Sequence, residues 1–374
     1  MTSRCPAEIG DPVSEIDTPA LIIELDAFER NLDRMADLAR TSNIRLRPHA
    51  KTHKSPTIAH MQIARGAVGV CCQKVGEAEV MVANGVKDVL VSNQIVGARK
   101  LRRLAALAKQ AHIGVCVDNV ENVADISAAA QDAGVEIDVL IEVCVMRSRC
   151  GVLPGEPTVE LAKAISAADG LRFAGLHAYH GRAQHYRSHE ERKDAIAEAS
   201  REVNETIDLL RKAGIATEIV TGAGTGTVEF EAGSGVYNEL QAGSYIFMDV
   251  DYAKNLDDKG NPVSSYEHSL FVLATVMSVP TEDRAVCDAG LKALSVDSGL
   301  PIMNDDEKAE YVGASDEHGT LRVKSAANPL RLGEKVKLVP GHCDPTVNLY
   351  DWYVGVRNGR VEALWPVAAR GAVL

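Results

Sequence analysis

The stretch 44–54, IRLRPHAKTHK, decides how this chain is read. IRLRPHA has the look of a short strand, and Lys51 comes directly after it with His49, His53 and Lys54 around it. A lysine just past an early strand sits where the Schiff-base lysines of barrel enzymes sit. An amine crowded by other cations loses its proton more easily and becomes nucleophilic. The same residues would also suit a basic surface loop, so the choice between the two depends on the rest of the chain.

Seven further β-rich runs succeed it before residue 249: AVGVCCQ, DVLVSNQ, HIGVCVD, IDVLIEVCV, FAGLHAYH, ATEIVTGAG and ELQAGSYIF, separated by longer segments of helical period. That alternation is the mark of repeated βα units on a parallel sheet, and eight of them predict a closed (β/α)8 barrel. In such a barrel the C-terminal strand ends face one pocket. Here those positions hold Lys51, Gln73, Asn93, Asp118, Arg149, His177 with Tyr179 and His180, the TGAGTGT loop from Thr221, and Gly243 with Ser244. Any one of them alone would be read as a capping or solvent-facing group; a polar residue at nearly every strand end points to a site.

From about residue 266 the pattern changes to SLFVLATVMSVP, RAVCDAGLKALSVD, GTLRVKS, KVKLVPGHCD and YVGVRNGRVEALWPV, strand-like runs parted by Gly, Asn, Asp and Pro turns. They predict a smaller antiparallel β-domain, joined by the opening strand TPALIIEL. The expected division is a barrel over 27–265 and a β-domain from 1–26 with 266–374.

Composition narrows the function classes. The chain has 374 residues, 46% hydrophobic and only 4% aromatic, so its core is aliphatic. A net charge of -12 disfavours a nucleic-acid or anionic-membrane surface. The polar N-terminus, the lack of a long apolar span and eight cysteines without CxxC spacing suggest a cytoplasmic protein with free thiols.

TGAGTGT at 221–227 offers glycine-freed backbone N–H groups and threonine hydroxyls to an anion. It lacks the P-loop lysine, and a phosphate bound after a late barrel strand, with Gly243 and Ser244 from the next loop, fits better. A lysine facing that cup across the barrel mouth would hold a pyridoxal phosphate at both ends, with His177 and Tyr179 beside the ring. In GHCDP at 341–345, His342 and Asp344 would share one face of an extended segment and bind one ion, with Cys343 turned away. One imidazole and one carboxylate suit Mn2+, Mg2+ or Co2+.

RPHAKTHK, CCQKVGEAEVM, RCGV, GLHAYHG, QAGSYIFMD, DAGLKALS and PGHCDPTVNL together resemble the D-threonine aldolase and D-serine dehydratase group of fold-type III pyridoxal-phosphate enzymes. Within it the chain is most similar to the β-hydroxy-D-amino-acid aldolases, among them those acting on 3-hydroxy-D-aspartate. The resemblance covers nearly the whole chain and implies an alanine-racemase-like barrel with a β-domain, as a homodimer. It puts the cofactor lysine at Lys51 and the arginine by the cofactor's phenolic oxygen at Arg149. It gives His177 and Tyr179 to the pyridine ring, Gln73 to a polar contact and Tyr252 to the cofactor's side, Thr225, Gly243 and Ser244 to the phosphate, and His342 with Asp344 to the metal. The HxD pair, where dehydratases of the group commonly carry HxC, favours the aldolase branch. Arg147, two residues before Arg149, would face the mouth if the strand persists and receive an acidic substrate's second carboxylate. Gln241 is a candidate for the group facing the pyridine nitrogen.

The implied activity is metal-assisted cleavage of a β-hydroxy-D-amino acid, 3-hydroxy-D-aspartate or D-threonine, to glycine and an aldehyde. The alternatives are a pyridoxal-phosphate- and metal-dependent dehydratase acting on the same kind of substrate and a non-catalytic pyridoxal-phosphate carrier; a metal-free lysine aldolase is opposed by the phosphate cup.

Overall fold

The structure is a computed structural model and describes residues 5–304, 307–324, 327 and 329–374. Residues 1–4 of the polar N-terminus and Ser325, which ends the GTLRVKS run, lie outside them.

After β1 (Ala20–Glu24) the chain lays down β2 (Arg45–Leu46), β3 (Val70–Cys72), β4 (Asp88–Gln94), β5 (His112–Val117), β6 (Ile137–Glu142), β7 (Leu171–His177), β8 (Ile219–Gly222) and β9 (Glu239–Leu240). β2 to β9 form one parallel sheet in the order β2-β9-β8-β7-β6-β5-β4-β3. The ends meet beyond β2, where Ala50 N–H donates to Cys71 O at 2.7 Å and Cys71 N–H donates to Pro48 O at 2.9 Å. The eight runs expected to make the barrel are the eight that make it. Helix boundaries follow local chemistry: Asn119 Oδ1 accepts the N–H groups of Glu121 and Asn122 to start helix Val120–Ala133, and Gly134, at φ +66, ends it. Ser188 and Glu191 form a reciprocal cap at the head of His189–Lys212.

Alternation along the strands stacks the barrel interior in three layers. At the N-terminal end lies a ring of charge: Arg47 bonds Glu239 at 3.0 Å and pairs with Asp88, while His112 bridges Asp88 and Asp138, which also pairs with Arg172. Above it sits an apolar layer of Cys71, Leu90, Cys116, Leu140, Ala174 and Ile219. Two of the cysteines therefore act as small hydrophobes, and all eight are free thiols. Beyond that layer come His49, Gln73, Ser92, Glu142, His177 and Gln241, the floor of the cavity at the C-terminal end. β7 needs glycine at Gly175, where a Cβ would lie 1.9 Å from Ile219 O.

The second sheet contains β10 (Leu270–Thr281), β11 (Arg284–Cys287), β12 (Ile302–Met303), β13 (Ala309–Ala314), β14 (Gly319–Val323), β15 (Lys335–Val339), β16 (Trp352–Arg357) and β17 (Arg360–Pro366). Its main order is β13-β14-β11-β10-β1-β16-β17, with β15 pairing β10 and β12. β1 lies antiparallel to β10 and parallel to β16, the one parallel pairing of this sheet among the described residues. Two runs read differently in three dimensions. AEYVGA, broken by Gly313, was not expected and forms β13. RAVCDAGLKALSVD is a strand only over its first four residues; past them Gly290 packs so tightly on the 315–318 turn that a Cβ there would stand 2.3 Å from Ser315 O.

Candidate active site

The two sheets meet at the C-terminal end of the barrel, where a small cavity opens. Every residue expected to contact the cofactor lines it: Lys51, Gln73, Arg149, His177, Tyr179, Thr225, Gly243, Ser244 and Tyr252. Gln241 lines it too, but its Oε1 is 3.0 Å from His177 Nε2 and its Nε2 donates to Thr221 Oγ1 at 2.8 Å, so its amide orients His177.

The four basic residues of HAKTHK separate into distinct roles. Lys51 leaves 43% of its side chain exposed, and its Nζ stands 3.3 Å from Asp344 Oδ2, which raises the amine's pKa. Lys54 turns the other way, into a buried ion pair with Glu77. Burial, with Lys51 beside it, keeps His49 neutral, and burial lowers His53 to about 4. The expectation that neighbouring cations depress the Lys51 pKa is therefore corrected. Two of those neighbours are uncharged, the third is neutralised by Glu77, and the nearest charge to Lys51 is a carboxylate.

The ring-side wall hangs on a residue the sequence reading passed over. Glu142, 2% exposed at the end of β6, places Oε2 2.7 Å from His177 Nδ1 and Oε1 3.2 Å from Arg149 Nη2. Burial works against its charge, but His177 and Arg149 hold its carboxyl below the usual range. Arg149 in turn lies over the Tyr179 ring, 5.1 Å from its centroid. Glutamate at the end of an apolar strand was the available signal, in phase with Leu140 and Asp138. Ser92 was missed for the same reason, since the inward phase of β4 selects it and leaves Asn93 to bond Gln73 O at 3.1 Å. Asp118 instead receives Gly151 N–H at 2.9 Å, and His180 Nδ1 receives Ala183 N–H at 3.0 Å. Cys116, Glu142 and His177 bring ligand atoms within 4.8 Å of one another. Burial pushes the Cys116 thiol well up, so it stays protonated and serves poorly as a metal ligand.

β6 does not persist to Arg147. The chain turns there at φ +53, and Arg147 pairs with Glu202 on the helix His189–Lys212. It does not line the cavity, so the carboxylate role expected of it is withdrawn.

At the phosphate end, Thr225 Oγ1 and Thr52 Oγ1 are buried without a partner. Gly243 lies against Thr52: a Cβ there would stand 2.6 Å from Thr52 Oγ1 and 3.0 Å from His49 O. Unpaired buried hydroxyls are costly unless a ligand answers them. Together with a half-exposed lysine and a guanidinium over a tyrosine, this donor set fits pyridoxal phosphate.

The GHCDP segment is not extended throughout. His342 is the residue before a short helix, Cys343–Val347, and Asp344 lies in that helix's first turn. Strand alternation therefore does not set their directions, although Cys343 does turn into the core, where its N–H donates to Asp249 Oδ2 at 3.0 Å. His342 Nδ1 lies 2.8 Å from Asp297 Oδ2, a partner that fixes the ring and leaves the other nitrogen as the ligand atom. Burial opposes the charge of Asp344, but Lys51 and His342 hold its carboxyl below its usual value. The oxygen and nitrogen donors fit a hard or borderline divalent cation. Asp297 and Asp249, separated from the motif by tens of residues, carried no sequence signal.

Comparison with known proteins places the whole chain among a set of related enzymes. Residues 23–251 match the alanine racemase N-terminal domain and residues 269–356 a putative serine dehydratase domain. The chain is 50% identical to the 3-hydroxy-D-aspartate aldolase of Paracoccus denitrificans (strain Pd 1222), over 98% of this chain and 95% of that one. It is 49% identical to the D-threonine aldolase of Arthrobacter sp, over 98% and 96%. The crystal structure of D-threonine aldolase from Filomicrobium marinum superposes with a TM-score of 0.96 at 52% identity, covering 99% of this chain and all (100%) of that one. The D-threo-3-hydroxyaspartate dehydratase of Delftia sp. (strain HT23) is more distant, at 29% identity over 90% and 93%. Among the described residues no helix is long and apolar enough to cross a membrane.

Proposed function

The chain belongs to the alanine-racemase-like family of pyridoxal-phosphate enzymes that includes the D-threonine and 3-hydroxy-D-aspartate aldolases, and from that premise we propose that it cleaves 3-hydroxy-D-aspartate to glycine and glyoxylate, with D-threonine as a second substrate. The observation that carries the reading is the meeting of Lys51 from the barrel with Asp344 from the short helix that follows β15, 3.3 Å apart at one mouth. A carrier would need the lysine and the phosphate cup but no second carboxylate opposite them. The greater distance of the dehydratases favours carbon–carbon cleavage.

Pyridoxal phosphate, when bound, supplies the electron-withdrawing ring that takes up the pair left on Cα as the Cα–Cβ bond breaks. Lys51 Nζ is the amine that would carry it. Thr225, Gly243 and Ser244 would hold its phosphate, while Arg149, held by Glu142, stands over Tyr179. His342 and Asp344 would hold Mn2+, Mg2+ or Co2+, which supplies Lewis acidity toward the substrate's β-hydroxyl. Asp297 keeps His342 oriented for that work, and Asp249 anchors the turn by accepting from the N–H groups of Cys343 and Tyr252. Residues 27–265 form the cofactor-bearing unit in this reading, and 1–26 with 266–374 the metal-bearing one. A cytoplasmic homodimer belongs with it.

The test is product analysis of the purified, metal-supplemented protein with 3-hydroxy-D-aspartate, with D-threonine run alongside. Glycine with glyoxylate supports the reading; oxaloacetate with ammonia makes the protein a dehydratase and shows that HxD does not choose the bond.

A further inference from the structure

Behind the phosphate cup runs a chain of buried side chains that the site above does not use. Gly226 N–H donates to Gln184 Oε1 at 2.9 Å, Gln184 Nε2 donates to Thr227 Oγ1 at 2.8 Å, and Thr227 Oγ1 donates to Glu231 Oε1 at 2.8 Å. Gln184 is itself pinned, its backbone carbonyl accepting from Asn255 Nδ2 at 3.0 Å. The loop lies directly on this support: a Cβ on Gly224 would stand 2.5 Å from Gln184 Oε1, and one on Gly226 2.9 Å from Asn255 Nδ2. A loop seated this closely has no slack, so its position depends on the amide and, through Thr227, on Glu231.

Glu231 is 1% exposed, and its Oε2 has no hydrogen-bond partner. The helix His189–Lys212 packs against its element and brings His189, whose ring meets Phe230 edge-on at 5.0 Å, and Arg192, whose guanidinium is used on the carbonyls of Tyr186, Arg187, Ser188 and Leu256. Glu229 shares its own helix, and Tyr237 and Tyr179 are the other ionisable groups within reach of its charge. No cation pairs with it among the described residues, and burial pushes its carboxyl up to about 8 against the hydrogen bonds from Thr227 and the backbone. The unpartnered Thr225 Oγ1 lies two residues before Thr227, on the cavity side of the same loop.

We propose that Glu231 is a positioning residue for the cofactor's phosphate: as the neutral acid it steadies the 223–227 loop through Thr227 and Gln184, and on ionising it sets a negative charge behind the phosphate and weakens its hold. The proposal rests on the pyridoxal-phosphate reading of the cavity. Because the phosphate is already dianionic above about pH 7, any further loss on the alkaline side belongs to the protein.

Apoprotein is titrated with pyridoxal 5′-phosphate and with pyridoxal at pH 7 and pH 9. Both are carried by Lys51, so the ratio of their dissociation constants isolates what the phosphate contributes. In the wild type the phosphate advantage falls about tenfold between the two pH values, the size expected when a buried charge appears near a dianion. In Glu231→Gln, whose amide oxygen still accepts from Thr227, the advantage stays at its pH 7 value across the range. Thr227→Val, which cuts the chain at its middle, lowers the advantage already at pH 7, and it tests the proposal even where Glu231→Gln does not fold. A Glu231→Gln advantage that falls with pH as the wild type's does, or a Thr227→Val advantage equal to the wild type's, overturns the proposal. Failure of the wild type to bind either ligand overturns instead the cofactor reading beneath it.

Discussion

Lys51 and Lys54 are three residues apart, and replacing each in turn gives opposite results. Lys54 and Glu77 keep only 9% and 4% of their side chains exposed. Lys54→Met would therefore leave a carboxylate with one oxygen unpaired in a dry site, a loss on the order of 3–5 kcal/mol. Glu77 Oε2 still receives the backbone N–H groups of Gln73 at 2.8 Å and Lys74 at 3.2 Å, which places the expected loss at the lower end, about 3 kcal/mol. With an unfolding entropy of about 2.1 cal/mol/K per residue, a chain of this length loses roughly 1.3 °C of Tm per kcal/mol, so the variant melts about 4 °C early. The double variant Lys54→Met/Glu77→Gln recovers most of that, because no charge is left buried. Lys54→Met keeps the visible absorbance of the bound cofactor. Lys51→Ala loses that band and changes Tm little, since Lys51 is half-exposed. The assay is a thermal melt and an absorbance spectrum on each variant. A Lys54→Met protein that lost the band while melting within about 1 °C of the wild type would move the anchor to Lys54 and refute the assignment.

Gly243→Ala puts a methyl 2.6 Å from Thr52 Oγ1 and 3.0 Å from His49 O, so its dissociation constant for pyridoxal phosphate rises, read by titrating the apoprotein; an unchanged constant removes Gly243 from the cradle. Asp344→Ala keeps cofactor binding but loses metal-supported turnover, and Asp297→Asn raises the metal concentration needed for half-maximal rate about 10–100-fold. Equal metal requirements in Asp297→Asn and the wild type would deny Asp297 its role. At the closed end of the barrel, Asp138 and Asp88 raise His112 from an ordinary 6.5 to about 10. Its contribution to stability is full below pH 6.5 and fades as pH rises toward 10. His112→Gln should accordingly lower the urea midpoint at pH 6, with the deficit shrinking by pH 10; a constant deficit would mean that charge is not what His112 supplies.

The sequence by itself determined the barrel and most of the contents of its mouth. Eight β-rich runs with helical segments between them admit few arrangements, and period-2 alternation fixes which strand-end residues point inward. Lys51, Gln73, His177 and the 221–227 loop could therefore be found without coordinates. Ser92, in phase with Asp88 and Leu90, and Glu142, in phase with Asp138 and Leu140, were within reach of alternation alone and were still missed, because the positions weighed there are Asn93, one residue out of phase, and Arg149, beyond the end of β6. Only the tertiary structure decided the charge state around Lys51. Whether His49 and His53 are charged depends on their burial, and the pairing of Lys54 with Glu77 and of Lys51 with Asp344 joins residues 23 and 293 positions apart. The same holds for Arg147, whose direction was set by where β6 stops and by Glu202 on a distant helix. Strand phase is a local property of the chain, whereas desolvation and ion pairing depend on which remote groups are packed together, and no spacing in the sequence records that.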